Sequence, residues 1–193
     1  PKLQQTLQAL NLTWPDIKAI LLTHGHLDHT GNLAEIKRLT GAPVLAHPLE
    51  QSHIDGTFPY RGASRWCGLM EAIGRRLFNY RPVPIDVPLN DSMELSYWGG
   101  LRIMHLPGHT EGHCGFYSQK HNLLFTGDLF ANYWFDSHLP PAFLNSSPEQ
   151  MANSVRRVRE LDPQFVIPSH YTGFDASLHK RKLDHLISCS GGL

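Results

Sequence analysis

An α/β fold with helices packed outside two sheets follows from three features of the sequence. Residues 17 to 46 read as strand, helix, strand; 93 to 126 read as a run of four strands; and 147 to 187 read as helix, strand, helix. With 193 residues, 41% of them hydrophobic, the chain is long enough to bury one core, and 1–193 is read as a single domain.

Leu3, Leu7 and Leu10 recur at helical spacing, so 2 to 10 forms an amphipathic helix, closed by the breaker from Asn11 to Pro15. Residues 17 to 23 (IKAILLT) are a short apolar run of buried-strand type that leads straight into a histidine-rich turn at 24 to 30. Gly31 opens a helix over about 32 to 39 with Leu33, Ile36 and Leu39 on one face; Gly41 and Pro43 end it before a strand at 44 to 46. The segment 47 to 90 is broken by Pro48, Pro59, Gly62, Pro82, Pro84 and Pro88, and reads as an inserted lid carrying one helix near 67 to 78. Strands at 93 to 98, 101 to 106, 114 to 118 and 122 to 126 follow, turning at Gly99-Gly100 and at Lys120-His121-Asn122. Pro148, after Ser147, starts a helix to about Glu160; 165 to 167 is one more buried strand, and 175 to 187 the last helix.

Lysine plus arginine and aspartate plus glutamate both number 17, so no uniform field draws in nucleic acid or an anionic membrane, and neither is an expected partner. No apolar run approaches the roughly 18 residues of a membrane-crossing helix, and no charged-then-apolar leader opens the chain, which begins at Pro1. Cys67, Cys114 and Cys189 are odd in number and widely spaced, without a Cys-x-x-Cys pair. That argues against a disulfide frame or a thiolate zinc site and suits a reducing, cytoplasmic compartment. Histidine is the outlier: thirteen of them make a metal site the first thing to look for.

Residues 24 to 29 have the form His-x-His-x-Asp-His, for which this composition predicts about 0.003 chance matches. Four ionisable side chains in six positions after a buried strand are expensive to bury unpaired, so a structural role alone explains them poorly. His24 and His26, two apart in extended backbone, point to the same side and can act as two ligands of one ion. Asp28 and His29 turn away from that pair toward a second ion. Imidazoles with a carboxylate suit zinc, and also iron or manganese. Two ions need more ligands, and three candidates each follow the end of an apolar run: His109 after Leu106, Asp128 after 122–125, and His170 after 165–167. Ligand sites of α/β sheets commonly lie at such carboxyl ends.

In these residues the chain resembles the metallo-β-lactamase-fold hydrolases over essentially its whole length. The resemblance implies a four-layer αββα sandwich of two mixed sheets between helices. It assigns His24, His26 and His109 to a first metal, Asp28, His29 and His170 to a second, and Asp128 as the bridge between two divalent ions, zinc first and iron or manganese next. Members of this family usually begin with several strands for which this chain has no counterpart, so the first sheet is expected to lack strands. Such an open edge invites pairing with a second copy.

Two ions roughly 3.5 to 4 Å apart hold hydroxide at neutral pH, so hydrolysis of a small ester, lactone or thioester is the expected activity, with Asp28 or Asp128 taking up the proton. A phosphodiesterase or nuclease of the same fold is the alternative; a non-catalytic metal-binding protein or an inactive fragment is the third. Asp128 stands where β-lactamases of the fold usually carry Cys or Ser, and His26 where the redox di-iron members carry glutamate, which disfavours both of those activities. Only 23 residues follow His170, too few for the helical glutathione-binding domain of glyoxalase II-like thioesterases. Lactonases of the fold place a tyrosine three residues after the bridging aspartate; here that residue is Ala131, with Tyr133 and Tyr171 as possible oxyanion donors or, more simply, pocket wall.

His113 is read either as hydrogen-bonded to a metal ligand or as core; of the eight histidines outside the ligand set (His47, His53, His105, His113, His121, His138, His179 and His185), most are read as surface or loop. Arg75-Arg76 and Arg156-Arg157-Arg159 are read as solvated helix faces, and Trp66, Phe78, Trp98, Trp134 and Phe135 as core or as the wall of a pocket under the lid.

Overall fold

The computed structural model describes residues 2–133, 136–173 and 175–189. Helix α1 (Lys2–Ala9) leads to β1 (Ile20–Leu21), the short helix α2 (Leu27–Thr30), α3 (Leu33–Thr40) and β2 (Val44–Ala46). Next come α4 (Gln51–Asp55), α5 (Arg65–Leu77), β3 (Val87–Pro88), β4 (Glu94–Leu95), β5 (Leu101–His105), β6 (Cys114–Ser118) and β7 (Leu123–Gly127). The chain continues through β8 (Ala131–Tyr133), β9 (Asp136–His138), α6 (Pro148–Leu161), β10 (Phe165–Pro168) and α7 (Ala176–Cys189).

A three-stranded parallel sheet runs β1-β2-β3, and a five-stranded mixed sheet runs β10-β7-β6-β5-β4. The alternation of side chains along a strand makes the layers. In β2, Val44 and Ala46 pack with Leu33 and Ile54 under α3 and α4, while Leu45 faces the other way into a cluster with Ile103, Cys114 and Phe116 of the second sheet. In β5, Ile103 joins that inter-sheet cluster, whereas Met104 turns outward to Val155 and Val158 of α6 and Leu183 of α7. Three apolar layers thus separate helix, sheet, sheet and helix, the αββα arrangement expected.

β2 and β6 match their expected bounds. The expected strand at 17 to 23 contracts to two paired residues, because β1 pairs only with the three-residue β2. The strand expected at 93 to 98 stops at Leu95, since Trp98 takes φ +50°, which a ladder does not accommodate. The hairpin β8-β9 was not expected, because its two three-residue strands show no apolar alternation.

The 47 to 90 segment divides in two. Glu50, His53, Ile54 and Leu89 are buried in the body, and β3 pairs with β2 as the third strand of the first sheet. Helix α5 is the part that lies over the cavity described below. The aromatic expectation is corrected at two positions: Trp66 is 68% exposed, and Trp98, 51% exposed, stacks on His121 and is not among the residues lining the cavity. Trp134 and Phe135 lie outside the described residues.

Candidate metal centre

Hydrogen bonding makes β5, β7 and β10 parallel to one another: β5 and β7 each run antiparallel to β6, and β10 runs parallel to β7. Their carboxyl ends therefore open on one edge of the sheet. His109 follows β5, Asp128 directly follows β7 and His170 follows β10; β1 of the other sheet delivers His24 and His26 to the same place.

The seven expected residues converge. Single ligand atoms of His24, His26 and His109 lie within 4.8 Å of one another, as do those of His24, His29 and Asp128, and those of Asp28, His29 and His170. Asp128 stands between the groups: its carboxylate is 3.1 Å from His170 Nε2, 3.3 Å from His29 Nε2, 3.6 Å from His109 Nε2 and 3.9 Å from His24 Nε2. Asp28 is 3.3 Å from His170 and 3.5 Å from His29.

Donor chemistry suits cations. The buried Nε2 atoms of His24 and His109 and the buried Oδ1 of Asp128 have no hydrogen-bond partner, an arrangement that is costly unless a ligand takes them. His109 Nδ1–H donates to Asn145 Oδ1 at 3.0 Å, which leaves the Nε2 lone pair directed at the cluster. Burial holds His26 and His109 down at about 4 and His24 well below the ordinary histidine range, so all three are neutral at pH 7, the form that binds metal. Burial alone pushes Asp128 up, but the neighbouring His24, His170 and His29 outweigh it and keep the carboxylate ionised.

His113 is fully buried beneath this cluster. Its Nδ1–H donates to the Leu106 carbonyl at 3.0 Å, and its Nε2 accepts the Asp128 backbone N–H at 2.9 Å, so it fixes where Asp128 sits. The turn leaves no room for a side chain at Gly127, where φ is +57° and an added Cβ runs into His113 Nε2.

Two carboxylates that hold the ligand loops were missed in the sequence. Glu50 accepts the backbone N–H of Gly25 at 2.5 Å and of Gly112 at 2.8 Å, tying the loop between His24 and His26 to the one after His109. Burial pushes its carboxyl up to about 7 against those bonds. Nothing local marks Glu50, since Pro-Leu-Glu after a strand reads as a surface turn. Glu71 accepts the Leu27 N–H at 2.8 Å and the Tyr60 O–H at 2.8 Å, clamping α5 to the start of α2. Together with Cys67 one turn earlier it faces His26, a Cys-x-x-x-Glu spacing that a predicted helix could have flagged. Glu50→Ala strands two buried N–H groups at about 1–3 kcal/mol each. The expected loss is therefore about 2–6 kcal/mol in denaturant unfolding; an unchanged midpoint would contradict the tether.

Among the remaining histidines, His53 and His179 are buried with His113, His53 bonded to Tyr60 and His179 to Asn132. Arg75 is no free surface cation: it donates to the carbonyls of His53 and Ile54, and Arg157 donates to the His105 carbonyl and Asp91. Tyr133 lines the cavity, its ring 6.3 Å from that of His170, whereas the Tyr171 ring lies 5.2 Å from His179 and is not part of the cavity wall.

The centre forms the floor of a cavity of about 750 Å³, roofed by α5 and by the turn at 140–144. Residues 1–170 match the Metallo-beta-lactamase superfamily. The chain belongs to that superfamily. It is 32% identical over 152 residues to a hydroxyacylglutathione hydrolase of Bdellovibrio bacteriovorus, covering 79% of this chain and 48% of that protein. The chain thus spans about half the length of this curated relative. Among solved structures, the di-iron-bound form of TTHA1623 superposes with a TM-score of 0.68 at 29% identity, covering 94% of this chain and 82% of that one. A class B3 di-zinc metallo-beta-lactamase, LRA-12 from an Alaskan soil metagenome, superposes with a TM-score of 0.66 at 20% identity, covering 96% of this chain and 75% of that one, a likeness of fold alone.

Proposed function

We propose that this metallo-hydrolase is a dinuclear enzyme that cleaves a small ester, lactone or thioester. The observation that carries this reading is Asp128, within 4 Å of imidazoles from both candidate ligand groups. His24, His26 and His109 would hold one ion, Asp28, His29 and His170 the other, and Asp128 would join them. Zinc heads the candidates on donor chemistry, with iron or manganese next; a di-iron relative and a di-zinc fold neighbour keep both within reach. When bound, divalent ions supply Lewis acidity that brings the pKa of water toward about 7 and polarises a carbonyl.

The chain's own residues do the rest. Asp28 and Asp128 stand at the centre beside the candidate ligand imidazoles, and either carboxylate would accept the proton that the attacking water gives up. Asp28, with a side chain 59% exposed, is the one placed to pass it to solvent. Tyr133, at the cavity wall, offers a phenolic O–H to the substrate carbonyl or the leaving group. The acyl C–O or C–S bond breaks, the oxygen of water forms the new C–O bond, and the alcohol or thiol leaves with the second proton.

A small molecule, not nucleic acid, is the proposed substrate, because no lysine or arginine is among the described residues lining the cavity. No helix among the described residues is long and apolar enough to cross a membrane. A cytoplasmic location and self-association along the first sheet's edge remain part of this proposal, on cysteine usage and on the short parallel sheet. The test is a panel of acyl esters, lactones and thioesters assayed with metal analysis by mass spectrometry. Turnover that requires about two ions per chain and disappears on chelation supports the reading; turnover that survives in metal-free protein would end it.

A further inference from the structure

We propose that the cavity selects substrates carrying an uncharged apolar chain of several methylenes, and that it disfavours thioesters of anionic carriers such as glutathione. The inference rests on the hydrolase reading and adds the substrate class. Away from the ligand cluster, the apolar part of the wall is built by Leu27, Met70, Phe78, Phe130, Pro141 and Leu144, beside the polar Asn32 and Tyr133, with α5 packed against the turn at Ala142–Leu144. A volume of about 750 Å³ holds more than an acetyl group, lying within the roughly 300–1,000 Å³ of sites for larger organic ligands.

Charge sets what the cavity rejects. The acidic residues that line it are Asp28, Glu71 and Asp128, and among the described residues no lysine or arginine joins them. A carboxylate tail extending from the centre would therefore leave water for a wall without a cationic partner. A cationic tail finds no better reception at Glu71. One of its oxygens accepts the Leu27 N–H, and the other accepts Tyr60 O–H and faces Arg75 at 3.3 Å.

The apolar wall also continues outward. Trp66, Met70, Ile73 and Leu77 follow each other at helical spacing along α5, each more than half exposed, and Met70 belongs both to this row and to the cavity. A chain that outgrows the cavity leaves it along an apolar surface. The hydrolase relative of Bdellovibrio bacteriovorus is named for a glutathione thioester, so the proposal separates this chain from it in substrate while keeping the reaction.

The test compares p-nitrophenyl acetate, butyrate and octanoate with the thioester of lactate and glutathione, all on the metal-loaded full chain. Expected is a rise in kcat/KM of about two- to fourfold per added methylene, with the glutathione thioester at least about a hundredfold below the octanoate. A second measurement needs no turnover: titration calorimetry of octanamide against acetamide. Octanamide should bind at least about tenfold tighter, with a negative heat-capacity change. Met70→Glu should reduce the octanoate-to-acetate ratio of kcat/KM at least about tenfold. A flat chain-length profile, equal binding of the two amides, or preference for the glutathione thioester overturns the proposal. If acetate is still hydrolysed in that case, the hydrolase reading stands without it. Octanamide preference without turnover of any ester sinks the hydrolase reading and leaves the selectivity of the cavity.

Discussion

Asp128→Ala should lower ester turnover by about three orders of magnitude, roughly 4 kcal/mol of transition-state stabilisation, and reduce bound metal to one ion per chain or fewer. The expectation follows from position. Its carboxylate lies within 4 Å of imidazoles of both candidate sets, so its removal leaves each set of three without the anion that joins them. The loss should not come from unfolding. Asp128 contributes nothing to the three apolar layers, and the backbone N–H that His113 holds survives the substitution. Circular dichroism and the denaturant midpoint report on the fold, while mass spectrometry counts the ions. Asp128→Asn keeps the volume and one acceptor but not the charge. It should fall between alanine and the parent in bound metal and stay near alanine in turnover. An alanine variant that keeps two ions and parental turnover would remove Asp128 from the bridge and with it the dinuclear reading.

How far the sequence reaches is shown by contrasting pairs of residues. His24 and His26 were legible because the ligands and the strand leading to them are local: a two-residue spacing in extended backbone decides their direction wherever the loop sits in the fold. His109, Asp128 and His170 were legible for a related reason, each standing at the end of an apolar run, although their convergence needed the strand order that the parallel β5, β7 and β10 provide. Glu50 and Glu71 were not legible. Each is defined by a backbone N–H far away in sequence, Glu50 by Gly25 and Gly112 and Glu71 by Leu27, and no local pattern records which distant donor a carboxylate will meet. Nor could the burial of His53 and His179 be read locally, being set by neighbours such as Tyr60 and Asn132. The lid was legible as a break in texture but not in extent. Proline spacing marks where regular structure is interrupted, and it cannot tell that Ile54 and Leu89, on either side of α5, return to the core.

The stability of the metal-free chain should peak near pH 6.5 to 7, and metal should change both its height and its slope. Burial depresses His26 and His109 to about 4 in the fold against roughly 6.5 unfolded. Between those values the unfolded chain binds more protons, so stability rises with pH at up to about 1.4 kcal/mol per pH unit for each ring. His170 acts in the opposite direction. Its hydrogen bonds to Asp128 and Asp28 raise it to about 10, so what it contributes is complete below about 6.5 and is lost as pH climbs through 10. A metal ligand must be a neutral imidazole, so loading displaces the His170 proton and apparent affinity should grow by up to about tenfold per pH unit from 7 toward 10. Ions present at about a thousand times their Kd add about 4 kcal/mol, which for a chain of this length is about 8–16 °C in Tm. Thermal melts of chelated and zinc-loaded protein from pH 5 to 9 test both statements. The gap between the two curves should widen above pH 7, because the metal-free fold weakens there while binding tightens. Parallel curves, or a gap that closes with rising pH, would show that loading requires no proton to leave His170 and that this residue is not a ligand.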